Sequence, residues 1–569
     1  MNRIIATFLA FVAATSLIQA DDLVSTTVLN HLGLKQSWAR PVTAPWGAES
    51  IANQQLVVME DYPVEYLEIV QSSPSNAADA TANPDDPAAG QDPAASTPVD
   101  EKILTRMRID LVPANGHLSS REEAERLANN EIRRLKRKGI EASFRVRSVP
   151  RVNLFSISDD GTLESRDAET GEPIWMVSLG DPFLPYMAIG ADQENLVVVN
   201  GSNLYQVDAR NGQVISTITT IGAPAYGATI AGDFVMVPMI GGGIECYALR
   251  DPTLDPFLER VEGDALALPI KSPDDGSSRT AWGTSSGFVY VMEMQGVPSL
   301  LFRLKTDGIV SARIAAAKGN RFFFGSEGGQ VYGIRATRSG EVLWSKPIGE
   351  PFYNEPLVFG DQVLLRSAYG NLFSLDAATG ELNWERPIRG VGELMGVIDG
   401  NLYLTTLSGH LEVVELASGK LMVAPEGLRP ADFVVNSMTN RLYLVGEDGD
   451  VQCLHAEGED LPTFHHDLAN PAKLEEASGS TTNQHNQNGN MNGGGNDPFG
   501  AGAGNNNDPF GAGAGNNNDP FGAGMDDDKN NDPFGGGGND PFGGGGNDPF
   551  GGNGDAMEDP FGGANPFGN

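Results

Sequence analysis

The strongest constraint on the fold is a phrase that returns at a nearly constant interval through the middle of the chain. Its clearest copy, Asn371 to Trp384, reads NLFSLDAATGELNW. A short strand leads into Asp376-Ala-Ala-Thr-Gly380, and a second strand ends at Trp384. The Asp carboxylate caps the turn, and the Gly takes the positive φ that a tight hairpin requires. Related copies run from Thr162 to Trp175 (Asp167, Gly171), from Asn203 to Ile215 (Asp208, Gly212), from Val331 to Trp344 (Gly340) and from His410 (Gly419). Weaker copies start at Ile244 and end at Gly296 and Gly458. Turn glycines at 171, 212, 296, 340, 380, 419 and 458 give steps of 41, 84, 44, 40, 39 and 39, the long step spanning a copy that has lost its Gly. A period near 41 residues means one supersecondary unit repeated, not a set of independent domains.

Each unit also carries a hydrophobic strand ahead of the motif, such as Leu196-Val-Val-Val199 or Gln362-Val-Leu-Leu365, and a weaker strand before that. Helix-pair repeats are excluded, because the apolar spacing is two rather than three or four. Four short strands per unit, joined by Gly and Asp turns, predict an all-β propeller of four-stranded blades. Eight motifs predict eight blades, with seven and a spare hairpin as the alternative. The first motif lacks a leading strand and the last lacks a trailing one. A closing blade shared between the two ends is therefore expected, with Ser143 to Val149 the candidate for the missing strand.

The flanks read differently. Asn2-Arg3, an apolar run from Ile4 to Ile18 and Ala20 before Asp21-Asp22 make residues 1–20 a secretory signal peptide, implying export. No later stretch is apolar for long enough to anchor the chain across a membrane. Residues 21–70 carry Trp38 and Trp46 without an assignable fold, and 71–100 form a Pro/Ala/Asp-rich disordered linker. Residues 101–150 read as a small β-α-β unit. A strand from Ile103 is followed by a capping box at Ser119 to Glu122, a helix with Leu127, Ile132 and Leu135 on one side, a Gly139 cap and a second strand. The propeller is expected over 151–460. Residues 461–569 form a disordered Gly/Asn-rich tail with Asp-Pro-Phe-Gly at Phe499, Phe510, Phe521, Phe534, Phe542, Phe550 and Phe561, and Asn-Pro-Phe-Gly at Phe567.

In its pattern of strand, Gly-x-Leu-Tyr-x-Leu-Asp-Ala-x-Thr-Gly and closing Trp, the repeat is similar to that of the pyrroloquinoline-quinone-like propeller family. The resemblance covers roughly Arg151 to Gly458. It implies that Trp175, Trp344 and Trp384 pack each blade against its neighbour, and that Asp167, Asp208 and Asp376 are structural. Among members of that family the chain looks most like the propeller component of the machine that assembles outer-membrane β-barrels. That implies envelope proteins as partners and a periplasmic or outer-membrane-associated location. The chain departs from that component in lacking a lipid-attachment Cys and in adding the β-α-β unit and the tail.

The family's quinone-dependent members imply a calcium ion, a catalytic Asp and often a disulfide of adjacent cysteines. Here the two cysteines, Cys246 and Cys453, are far apart and on expected strands, which suits two small buried side chains better than a bond. Seven scattered His give no metal-ligand spacing, and no phosphate loop or nucleophile elbow stands in a strand-to-helix setting. The reading is therefore of a non-catalytic scaffold without a cofactor. The alternatives are a quinone- or metal-dependent enzyme in the central channel, or a protein that binds the cell wall.

Partner recognition has two candidate sources. A net charge of -37 argues against nucleic acid and anionic lipid as partners. Yet Arg133, Arg134, Lys136, Arg137 and Lys138 crowd one helix end. They either bind an acidic partner or glycan, or simply complement the negative end of the helix dipole. The β-α-β unit loosely resembles the sporulation-related modules that bind denuded peptidoglycan. The tail phenylalanines, each behind a stiff Pro and ahead of Gly, make repeated weak contacts that gain strength through multivalency, or are only a spacer.

Overall fold

The computed structural model describes residues 23–71, 102–274, 276–425 and 428–465. The signal peptide, the linker and all eight tail phenylalanines lie outside the described residues. Strand position within a unit follows from sequence. Second strands such as Asn195–Asn200 and Arg321–Gly325 carry unbroken apolar runs, Leu196 to Val199 and Phe322 to Phe324, and are buried on both faces. Fourth strands such as Val214–Thr219 alternate half-buried and exposed residues, as the outside of a sheet should.

The described strands make eight antiparallel sheets: six of four strands, one of three and one of five. In most of them chain order is spatial order from inside to outside, so the first strand is innermost. Each sheet packs face to face on the next across its own apolar seam. Phe155, Leu196 and Val207 fill the seam after the first sheet, and Phe323, Trp344, Phe373 and Leu375 fill a later one. Trp38, Val152, Tyr443 and Cys453 fill the seam joining the last sheet to the first, which closes the ring. The fold is an all-β propeller.

Closure departs from expectation. Strand β1 (Leu34–Pro41) pairs antiparallel with Asp450–Ala456 and becomes the outermost strand of the last sheet. The closing strand thus comes from residues 34–41, not from Ser143 to Val149. A helix, α1 (Thr26–Leu32), precedes it, and Val24 is tied to Gln452 by two backbone–side-chain hydrogen bonds. The segment 21–70, unassigned by sequence, therefore belongs largely to the propeller, which begins at Leu34 rather than at Arg151.

The expected β-α-β unit is an insertion rather than a preceding domain. Strand β2 (Ile51–Gln71) pairs along nearly all its length with β4 (Ala142–Ser158). Ile51 to Met59 pairs with Arg151 to Ser158 inside the first sheet, which β5 (Thr162–Asp167) and β6 (Pro173–Ser178) complete. Beyond an irregularity between Met59 and Val64, the same two strands leave the propeller. There β3 (Ile103–Arg108) joins β2 at its other edge, and helix α2 (Ser120–Arg137) covers one face. The insert thus grows out of the first and second strands of one sheet. Its third strand is the far half of Ile51–Gln71, a segment without an assignable fold in the sequence.

Helix α2 follows local rules. Ser119 accepts a hydrogen bond from the Glu122 backbone while the Glu122 carboxylate returns to Ser119, and Gly139 ends the helix with a φ of 77°. Ala124, Ala128 and Leu135 are buried with Ile132 beside them, whereas Leu127, expected on that side, is exposed.

Candidate functional site

The recurring motif builds seams. Asp376 Oδ1 accepts the backbone N–H groups of Ala378 and Thr379, both at 3.0 Å, and Asp167 does the same for Glu169 and Thr170. Asp208 accepts the Arg210 N–H at 2.8 Å. Such a turn orients the carbonyl just after the Asp, or after Glu415 in the copy from His410, toward the preceding sheet, where an indole meets it. The Trp175 N–H donates to Ala209 O at 2.9 Å, Trp344 to Ala377 O at 3.1 Å and Trp384 to Leu416 O at 3.0 Å. Each ring lies on the motif Gly of the next sheet: Trp175 on Gly212, Trp344 on Gly380 and Trp384 on Gly419. At Gly340 the ring is Phe302 instead.

Sequence reasoning missed a fourth member of this series. The Trp38 N–H donates to Ala168 O at 2.9 Å and its ring lies on Gly171. It completes the seam where the last sheet meets the first. The signal was present: Trp38-Ala-Arg-Pro41 matches Trp344-Ser-Lys-Pro347 and Trp384-Glu-Arg-Pro387.

That seam also carries buried charge. Arg441, fully buried, pairs with Glu169 at 3.0 Å. Burial pushes the Glu169 carboxyl above its ordinary range, against the attraction of Arg441. The insert docks nearby. Arg108 makes a two-pronged contact with Asp167, so one carboxylate caps a turn and also receives the insert. Arg106 reaches Asp460 at 3.6 Å, past the end of the last sheet. Within the insert the fully buried Glu68 lies between Arg106 at 2.8 Å and Arg145 at 2.9 Å. Burial works to raise its pKa, but the hydrogen bonds from Arg145 and Arg106 outweigh burial and hold it below 4.5.

Constellations that suggest catalysis resolve into packing. Cys246 and Cys453 are free and buried in different seams; burial pushes the Cys246 thiol up to about 12 and Cys453 further. Among the described residues no cluster of three or more His, Cys, Asp or Glu is placed to hold a metal ion. His410 Nδ1 meets Ser408 Oγ at 2.9 Å beside a cavity of about 400 Å³. Its Nε2, however, accepts from Arg429 at 2.9 Å, which leaves the proton on Nδ1, facing the serine. An imidazole in that state donates to the hydroxyl and cannot take its proton.

The two ends of the propeller differ in character. The motif turns and the insert share one end, since turns after the first and third strands point the same way. At the other end lie the loops after the second strand of each sheet and those leading to the next sheet. Six of the seven most exposed large apolar side chains in the described residues stand there: Trp46, Phe183, Ile221, Ile240, Tyr369 and Leu407. Phe183 is 93% exposed and Trp46 83%. Asp181-Pro-Phe183 even repeats the tail tripeptide. In the equivalent Glu350-Pro-Phe352 the ring is fully buried against Gly325, a position where the first sheet has Ile157.

Of the basic helix end, Arg133 bonds Asn130 and Arg134 faces Glu131, while Lys136, Arg137 and Lys138 extend from the last turn and cap of α2. Arg133, Lys136, Arg137 and Asn130 border a cavity of about 660 Å³.

These features define a repeat β-propeller with an inserted α/β module. Residues 274–424 match the family model described as outer membrane protein assembly factor BamB. The chain is similar to the protein of that name from Burkholderia pseudomallei (strain K96243), 21% identical over 302 residues, covering 51% of this chain and 67% of that protein. It is equally similar to the Yersinia pestis protein, 21% identical over 301 residues, covering 52% and 69%. Among solved structures, BamB from Moraxella catarrhalis matches at 18% identity with a TM-score of 0.43, over 54% of this chain and 92% of that one. Saccharomyces cerevisiae Sqt1 matches at 12% identity with a TM-score of 0.42, over 53% and 92%.

Proposed function

We propose that this chain is a non-catalytic exported scaffold. It binds proteins of the cell envelope through the loop face bearing Trp46, Phe183 and Tyr369, and through its multivalent tail, and it serves outer-membrane protein assembly. The observation that carries this reading is the concentration of exposed apolar side chains on one end of the propeller. A soluble chain with this much negative charge gains nothing from an aromatic so fully in water unless a partner covers it. The name shared by the two relatives supports the assembly role, and the signal at residues 1–20 supports export to the compartment where that role lies. The tail adds reach, each Asp-Pro-Phe-Gly contributing a weak contact that gains from its neighbours.

Crosslinking and pull-down from the native envelope test this with three proteins: the full chain, the chain without residues 474–569, and a Phe183→Asp/Tyr369→Asp variant. The loop variant is expected to lose envelope proteins that the full chain captures, and the truncation to lose a subset. Identical capture by all three would sink the reading. A change in absorbance or melting temperature on adding calcium and quinone would favour the enzymatic alternative instead.

A further inference from the structure

The insert is electrically unlike the rest of the molecule. Residues 102–151 hold 13 of the 38 Lys and Arg but only 6 of the 75 Asp and Glu, a local excess of positive charge in a chain of net -37. Docking onto the propeller uses Arg106, Arg108 and Arg151, whose partners are acidic. Others are left over. Arg147, Lys136 and Arg137 have no acidic partner among the described residues.

The insert also has an open strand edge beside those cations. From Ala142 to Val149, β4 pairs with β2 on one side, whereas β5 begins pairing with β4 only at Asn153. Among the described residues no strand covers the other edge of Ala142 to Val149. Phe144 and Val146 turn toward α2, while Ser143 and Arg147 stand exposed on the other face, where Arg145 is held by Glu68. Helix α2 runs from the propeller side, where Arg121 meets Glu65 at 3.0 Å, to its basic end just before β4 begins. The helix cations therefore stand at the first residue of the open edge.

An open edge offers backbone donors and acceptors to any extended chain, and its side chains decide which chain is admitted. Here they repel a second copy of the same edge and favour an acidic strand. The outer strands of the first two propeller sheets, β6 and Val214–Thr219, have no charged side chain and so lack this preference. We infer that the insert recruits an extended acidic segment of another protein. The segment adds to β4 as a further strand and pairs carboxylates with Arg147 and, at the distal end, with Lys136 and Arg137. This stands apart from the apolar loop face and is independent of the partner bound there.

The test is fluorescence anisotropy of a labelled twelve-residue peptide that alternates Glu with Val or Thr, titrated with the full-length chain. Binding that weakens as salt rises is expected. An Arg147→Glu/Lys136→Glu/Arg137→Glu variant, with its melting temperature checked, should bind about tenfold or more weakly, a loss of about 1.4 kcal/mol or more. A peptide of the same charge with Pro at the Val and Thr positions should not bind, because Pro cannot supply the ladder N–H groups. Equal binding of the Pro peptide would overturn strand addition and leave charge alone. Absence of peptide binding, with sedimentation on peptidoglycan that the triple variant loses, would overturn the acidic-segment assignment in favour of a glycan.

Discussion

Gly380 shows how one residue serves two ends. It takes the left-handed turn conformation, with a φ of 71°, and presents a bare backbone to the Trp344 ring, 2.5 Å from where a Cβ would stand. Gly400 has the same φ but open space around it. Gly400→Ala should therefore cost only the backbone penalty, about 1–2 kcal/mol. Gly380→Ala should cost about 1–3 kcal/mol more for displacing an indole from a packed seam. Urea unfolding of the two variants checks the difference, and equal losses would mean that the ring moves aside freely. The Asp and Gly of this turn were legible in sequence because their partners lie within five positions of them. The indole contacts were legible only through resemblance, and Trp38 only through its match to Trp344-Ser-Lys-Pro347, since nothing local ties it to an acceptor 130 positions away.

At the scale of elements, strands were readable wherever burial dictates composition, as in Arg321–Gly325. They were lost where one strand serves two structures. Ile51–Gln71 is the innermost strand of the first sheet at one end and the middle strand of the insert at the other, so its apolar pattern changes partners midway. The insert rests on a fully buried carboxylate, which makes it sensitive to acid. Glu68 has its pKa lowered in the folded state, so its stabilising contribution is present above the ordinary value of 4.5 and is lost as pH falls through the depressed one. Glu68→Gln should thus destabilise most at neutral pH, with its difference from the parent shrinking below about pH 4.5. Thermal unfolding of both proteins from pH 3 to pH 7 measures this; a pH-independent gap would mean that the ion pairs with Arg106 and Arg145 contribute little.

At the scale of the whole molecule, repetition made the propeller legible, while closure and insertion depend on contacts between distant parts of the chain. The candidate loop face escaped sequence reading for a related reason. Exposed Phe183 and buried Phe352 occupy equivalent loops with nearly the same local sequence, and only the neighbouring sheet, with Ile157 or Gly325, decides between them. Closure itself makes a prediction. A chain ending before Asp450 leaves β1 without its partner strand and should unfold less cooperatively, whereas one ending at residue 473 should melt like the full chain. Calorimetry of the two truncations distinguishes them, and similar melting of both would show that the ring holds without β1.

The pairing of Val24 with Gln452 spans 428 positions. This makes the ring its own completeness check. Strand β1, synthesised early, keeps an open edge until Asp450–Ala456 is made. A product cut short before Asp450 retains that edge, while a chain that reaches Ala456 conceals it.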